Sequence, residues 1–193
     1  MKRVKIIGLT LGALALAGVT SACGSATAGT AQPTSSPSAS ADKADVGVEV
    51  EVEAPAAVKV PDGNKLVGKY QASGVQAYTC AAGTWKLLEP DAILVTKDSK
   101  PIILHTRGPI WVSTVDGSAV EAAAVDGAKV DHPDAIPEIL LKAKTVRGDG
   151  LLGKVTYVQR LDTKGGVAPT GTCQPNVQQS VPYSALYTFY TSA

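Results

Sequence analysis

Histidine is nearly absent from this chain. His105 and His132 are the two it has, so a metal centre built from several imidazoles is excluded and a zinc site would have to recruit carboxylates. Cysteine is almost as scarce: Cys23, Cys80 and Cys173 are too far apart for a redox CxxC pair. Basic residues are not in excess, with 18 Lys and Arg against 17 Asp and Glu, and aromatics make up only 5% of the chain. The electrostatic attraction that dominates nucleic-acid affinity is therefore missing, and no nucleic-acid partner is expected. The GxSxG elbow of many hydrolases does not occur, and neither does a phosphate loop ending in Gly-Lys-Ser/Thr. A Ser-His-Asp arrangement is assembled by folding, so sequence order does not speak to it.

Three basic residues, Lys2, Arg3 and Lys5, precede an uncharged run of 14 residues from Ile6 to Val19, followed by Thr20-Ser21-Ala22-Cys23. The run is short for a membrane span, and its order describes a secretory signal. Small residues ending in Cys resemble the bacterial lipobox, which predicts removal of residues 1–22 and acylation of Cys23. Thr20 stands where that motif commonly has Leu, and cleavage without lipidation is the alternative. Two or more acyl chains would hold the protein at a membrane almost permanently. Removal of residues 1–22 takes three basic residues and no acidic one, leaving 15 against 17 and a formal charge of −2. With Cys23 taken by lipid, Cys80 and Cys173 remain as one pair in an oxidising exterior, and a Cys80–Cys173 disulfide is expected.

From Gly24 to Ala44 the chain is almost entirely Ala, Ser, Thr, Gly and Pro, too poor in apolar side chains to offset its own chain entropy. It reads as a disordered tether with a typical span on the order of 25 Å. The alternation Val46-Gly47-Val48-Glu49-Val50-Glu51-Val52-Glu53 follows and reads as a strand. The organisation expected is a signal peptide over 1–22, a lipidated cysteine and linker over 23–55 that includes the strand 46–53, and one domain over 56–193.

That domain shows short apolar or alternating runs between turn signals: 65–72, 75–80, 84–88, 92–96, 102–105, 110–115, 155–161 and 183–190. Asp62-Gly63-Asn64, the segment 97–101, Asp116-Gly117-Ser118 and Lys164-Gly165-Gly166 supply turns. The pattern predicts a mainly β fold: a single antiparallel β-sandwich or barrel-like domain with at most one or two short helices. The last run places Tyr183, Ala185, Tyr187 and Phe189 on one face, expected to lie in the core, with an aromatic ligand platform as the sharper alternative. Over 136–144, with Asp134 as cap and Pro137 at a first helical position, a short helix and a buried strand fit equally.

Two polar clusters are candidates for chemistry. The first joins His105, Arg107, Gly108-Pro109 and Trp111 to the nearby Asp116, and offers a guanidinium fork and an indole face to a carboxylate, sugar or peptide. The plainer reading makes Gly108-Pro109 a turn, puts Trp111 in the core and pairs Arg107 with an acid. The second runs from Gln159 through Arg160 and Lys164 into Gly165-Gly166, and its plainer reading has Arg160 bracing a connecting loop. The ligand-binding candidates are thus His105, Arg107, Trp111, Asp116, Arg160 and Lys164, with no catalytic residue, metal or cofactor assigned. The rival reading is a hydrolase or metal-assisted enzyme using His105, Arg107 and Asp116; a third is a purely structural wall protein.

A family resemblance is carried by many short motifs in order. They are Gly74 to Cys80, Trp85, His105 with Gly108 to Trp111, Asp116-Gly117-Ser118, Ile136-Pro137 through Ala143, Val158 to Pro169, Cys173, and Val181 to Ala185. Together these resemble the domain of unknown function 3455 family of secreted bacterial and fungal proteins over residues 58–192, with a departure at Glu138. The resemblance implies a secreted single domain and agrees with the cysteine pair; it brings no activity or catalytic set. The expectation is an extracytoplasmic protein, anchored to the membrane through Cys23 and monomeric, that binds a cell-wall component or other small ligand.

Overall fold

A computed structural model describes residues 53–193. Cys23, the signal and tether segments and all of the alternating run except Glu53 lie outside the described residues, and Glu53 itself is not in a strand. After a 3-10 turn at Ala56–Val58, eight strands follow: β1 Asn64–Ala81, β2 Thr84–Val95, β3 Pro101–Thr106, β4 Ile110–Ser113, β5 Ala119–His132, β6 Ala135–Arg147, β7 Val155–Gly165 and β8 Gln178–Ser192. Each pairs antiparallel with the next, and β8 closes on β1 from Asn64↔Ser192 to Thr79↔Gln178. The fold is thus an eight-stranded up-and-down barrel, in which closure leaves no exposed sheet edge.

Period-two side-chain alternation decides which residues fill it. β1 sends Tyr70, Ala72, Gln76, Tyr78 and Cys80 inward, and β8 sends Tyr183, Ala185, Tyr187 and Phe189. Trp111 of β4, Leu94 of β2 and Val120 of β5 complete a packed interior. Gly74 lies where β1 and β2 press together; a Cβ there would run into the Asp91 carbonyl and Ala92.

Several element boundaries differ from those read in the sequence. The runs 65–72 and 75–80 form one unbroken strand, as do 84–88 and 92–95, with Thr96 beyond its end, because a barrel of this size needs long strands that coil around it. Residues 136–144 belong to β6, so the strand alternative holds there. β5 was not expected at all: its Ala-rich start and Gly127 have low β propensity, and pairing with β4 and β6 holds it extended.

A second, smaller apolar cluster lies on the outside of the wall. Val58, fully buried, packs with Leu140, Leu161 and Leu186, and residues Ala54 and Val60 join it. Gln159 Nε2 donates to the Val58 carbonyl at 2.7 Å, and Thr188 Oγ1 donates to Gln159 Oε1 at 2.8 Å. These bonds fasten the segment leading into β1 to the barrel surface.

The two barrel ends are built differently. At one end the β6–β7 connection folds inward and buries Leu152 in the core. Asp116 secures that closure: it accepts from Ser118 N at 2.9 Å, Ser118 Oγ at 2.6 Å and Leu151 N at 2.8 Å. At the other end the β7–β8 loop is held to the β1–β2 hairpin by the Cys80–Cys173 disulfide, with Cα atoms 5.8 Å apart. Cys80 N donates to Val177 O and Asn176 N to Cys80 O, so the loop is drawn aside and pinned there. The disulfide agrees with an oxidising, extracytoplasmic location.

Candidate functional site

The end held by the disulfide opens into a cup of about 450 Å³, within the size range of small-molecule sites. Its walls are apolar, formed by Leu87, Leu88, Pro90, Ala124, Ile139 and Leu141. The polar lining is Gln76, Glu89, His105, Arg107 and Arg160, and Trp111 and Tyr187 add aromatic rings to it. Strand register explains the grouping. Arg160 sits opposite Ile139 on β6 and Tyr187 on β8, and His105 sits opposite Ala92 on β2 and Trp111 on β4.

His105 is 3% exposed and stacks flat on Trp111, with ring centroids 4.3 Å apart and planes 2° from parallel. Burial lowers its pKa to about 4, against a smaller opposing effect of the Ile110 carbonyl and a further lowering by Arg160. The ring is therefore neutral near pH 7. Its Nδ1 lies 3.0 Å from Ile110 O, an acceptor only, so the single proton belongs on Nδ1 and Nε2 carries a lone pair.

Arg160 is half-buried among the same side chains. Its Nε and Nη2 both donate to the Pro137 carbonyl, at 3.0 and 2.9 Å. Among the described residues it has no carboxylate partner, in contrast to Arg107, which pairs with Glu89 at 3.2 Å on the rim. The Arg160 charge reaches the interior, where it lowers the pKa values of Tyr78, His105 and Tyr183; burial is the larger influence on each and pushes the two tyrosines up.

Three lining side chains hold buried polar atoms with no hydrogen-bond partner among the described residues: Gln76 Nε2, Trp111 Nε1 and Tyr187 Oη. Leaving such a group unmade costs about 1–3 kcal/mol, so native proteins rarely tolerate several in one place without a partner from solvent or ligand. The Tyr183 hydroxyl, on the same face of β8, has its pKa raised by burial and further by the nearby Tyr187, yet neither hydroxyl has a hydrogen bond of good geometry. Gly166 borders this region with φ +77°; a Cβ there would crowd Tyr183 and Gln76. Its carbonyl accepts from Tyr78 Oη at 2.6 Å.

The fold therefore brings His105, Arg107, Trp111 and Arg160 to one cup. It places Asp116 at the opposite, closed end, so His105, Arg107 and Asp116 do not converge. Lys164 is exposed and lies 3.7 Å from Asp162. The plainer readings hold for part of the first cluster: Trp111 is fully buried, Arg107 pairs with an acid and Gly108-Pro109 forms the β3–β4 hairpin. Sequence reasoning missed Gln76 as a lining group. The available signal was a polar residue at an inward position, since Gln76 continues the alternation of Tyr70, Ala72 and Tyr78. Among the described residues no group of three His, Cys, Asp or Glu side chains is placed to hold a metal ion. A second concavity, between the segment 53–64 and the pair Gln159 and Tyr190, has no orphaned side-chain atom, because both polar ends of Gln159 are bonded.

A family model described as a protein of unknown function, DUF3455, matches residues 61–191. No curated protein and no solved structure matches the chain.

Proposed function

Because the chain belongs to the DUF3455 family over nearly all of the barrel, we propose from the chemistry of the cup that it is an extracytoplasmic binding protein taking a small ligand at the open end of the barrel. The observation that carries this reading is the cluster of orphaned buried polar atoms on Gln76, Trp111 and Tyr187 around one apolar-walled cavity. A rigid barrel holds those atoms in fixed positions, and a ligand that satisfies them recovers what their burial costs. The same arrangement argues against hydrolysis. His105 lies flat against Trp111 at one end of the barrel, and Asp116 is engaged in closing the other.

Location follows from the other end of the chain. A basic start, a 14-residue uncharged run and Ser21-Ala22-Cys23 support acylation at Cys23, and the composition of residues 24–44 supports a tether between membrane and barrel. The cup would then meet cell-envelope components at a distance from the lipid. The test is native mass spectrometry of the mature protein after incubation with an envelope extract. The wild type should carry a discrete small adduct, and Ala124→Trp, which places an indole in the cavity, should not. An adduct retained by that variant, or none on either protein, would refute the reading.

A further inference from the structure

The lining is dominated by donors, and this restricts what it can hold. Gln76 Nε2 and Trp111 Nε1 are donor atoms only, and the Tyr187 hydroxyl can donate. Of the five N–H groups of Arg160, two point to the Pro137 carbonyl. That occupies the Nε edge of the guanidinium and leaves the Nη1–Nη2 edge, two nearly parallel donors at the spacing of carboxylate oxygens. Glu89, the carboxylate among the lining residues, is engaged by Arg107 at the rim, and the remaining walls are apolar. From this we propose that the ligand is a small organic carboxylate with an apolar body, its carboxylate taken by the free edge of Arg160 and its body lodged against Leu88, Ile139 and Leu141.

Three features favour that class over a neutral ligand. A half-buried cation without a counter-charge is stabilised by an anion more than by any dipole. Donors lining one cavity have acceptors as their natural complement, and a carboxylate offers about four acceptor positions in a small volume. Finally, a cavity of about 450 Å³ with apolar walls suits an aromatic or short aliphatic body and not a strongly hydrated ion alone.

This inference rests on the reading of the cup as a binding site, and its test separates the two. Ligand-observed NMR titrations of the mature protein would use benzoate and hexanoate beside their neutral counterparts benzyl alcohol and hexanol. Benzoate or hexanoate should bind at least about tenfold more tightly than its alcohol. Arg160→Gln, whose amide still reaches toward the Pro137 carbonyl, should erase that preference, so that each acid binds no more tightly than its alcohol. Arg160→Lys should restore it in part, because the charge returns without the fork. The comparison on wild-type protein needs no variant, so it stands even if Arg160→Gln folds poorly. Equal binding of acids and alcohols would overturn the carboxylate inference and leave the cup as a binding site. Failure of all four probes would overturn the inference too, while the envelope-extract adduct still decides on the cup.

Discussion

Acidification should weaken this barrel through His105. The imidazole is buried against Trp111 and its pKa is lowered from the ordinary 6.5 to about 4. The unfolded chain therefore holds this proton more tightly than the folded one. The stability that His105 confers by staying neutral is complete above pH 6.5 and is lost as the pH falls toward 4. A difference of that size corresponds to about 3 kcal/mol at the acid limit and about 2 kcal/mol at pH 5. The assay is urea unfolding at pH 7.5 and 5.0 of wild type and His105→Phe, which keeps an aromatic ring on Trp111 and removes the titration. Other acid-sensitive groups are common to both proteins and cancel. Wild type should lose about 2 kcal/mol more than the variant between the two pH values; equal losses would refute the burial argument.

Other outcomes follow from the two barrel ends. Reducing Cys80–Cys173 opens a crosslink across 93 residues, which chain entropy values at up to about 4–5 kcal/mol, so the melting temperature should fall by about 10–18 °C. A fall below about 3 °C would mean that the loop is held without it. Asp116→Ala removes the acceptor of Ser118 and Leu151 and should cost about 1–2 kcal/mol in urea unfolding at neutral pH. Ligand binding at the far end should not change, and a parallel loss of binding would show that the two ends are coupled. The Asp116 pKa, held down to about 2 mainly by the Ser118 hydroxyl and the Leu151 amide, confines its own acid effect below pH 4, outside the window assigned to His105.

How much of this was legible in the sequence depends on the element. The inward face of β8 could be read because Tyr183, Ala185, Tyr187 and Phe189 alternate with no bulge inside the run. The disulfide followed from counting cysteines, and the all-β class from the spacing of short runs. β5 could not be read, since its alanines and Gly127 lack a β signature and only its neighbours fix them. The cup was half visible. Arg107 and Trp111 stood out as residue types, but the rim pairing of Arg107 and the burial of Trp111 depend on which strands the chain brings together. Arg160 was expected to brace a loop, and it does hold the Pro137 carbonyl. That β7 also turns it into the barrel is a matter of register, which a single residue out of phase would reverse.

The central claim, that the open end of the barrel is where this protein meets a small ligand, is tested most directly by mapping amide shifts of the nitrogen-labelled mature protein during titration with benzoate. The account predicts saturable changes gathered at Gln76, Leu88, Ile139, Arg160 and their neighbours, with Asp116, Ser118 and Leu151 unmoved. Changes centred on the Asp116 end, or scattered over the outer wall without saturation, would contradict it.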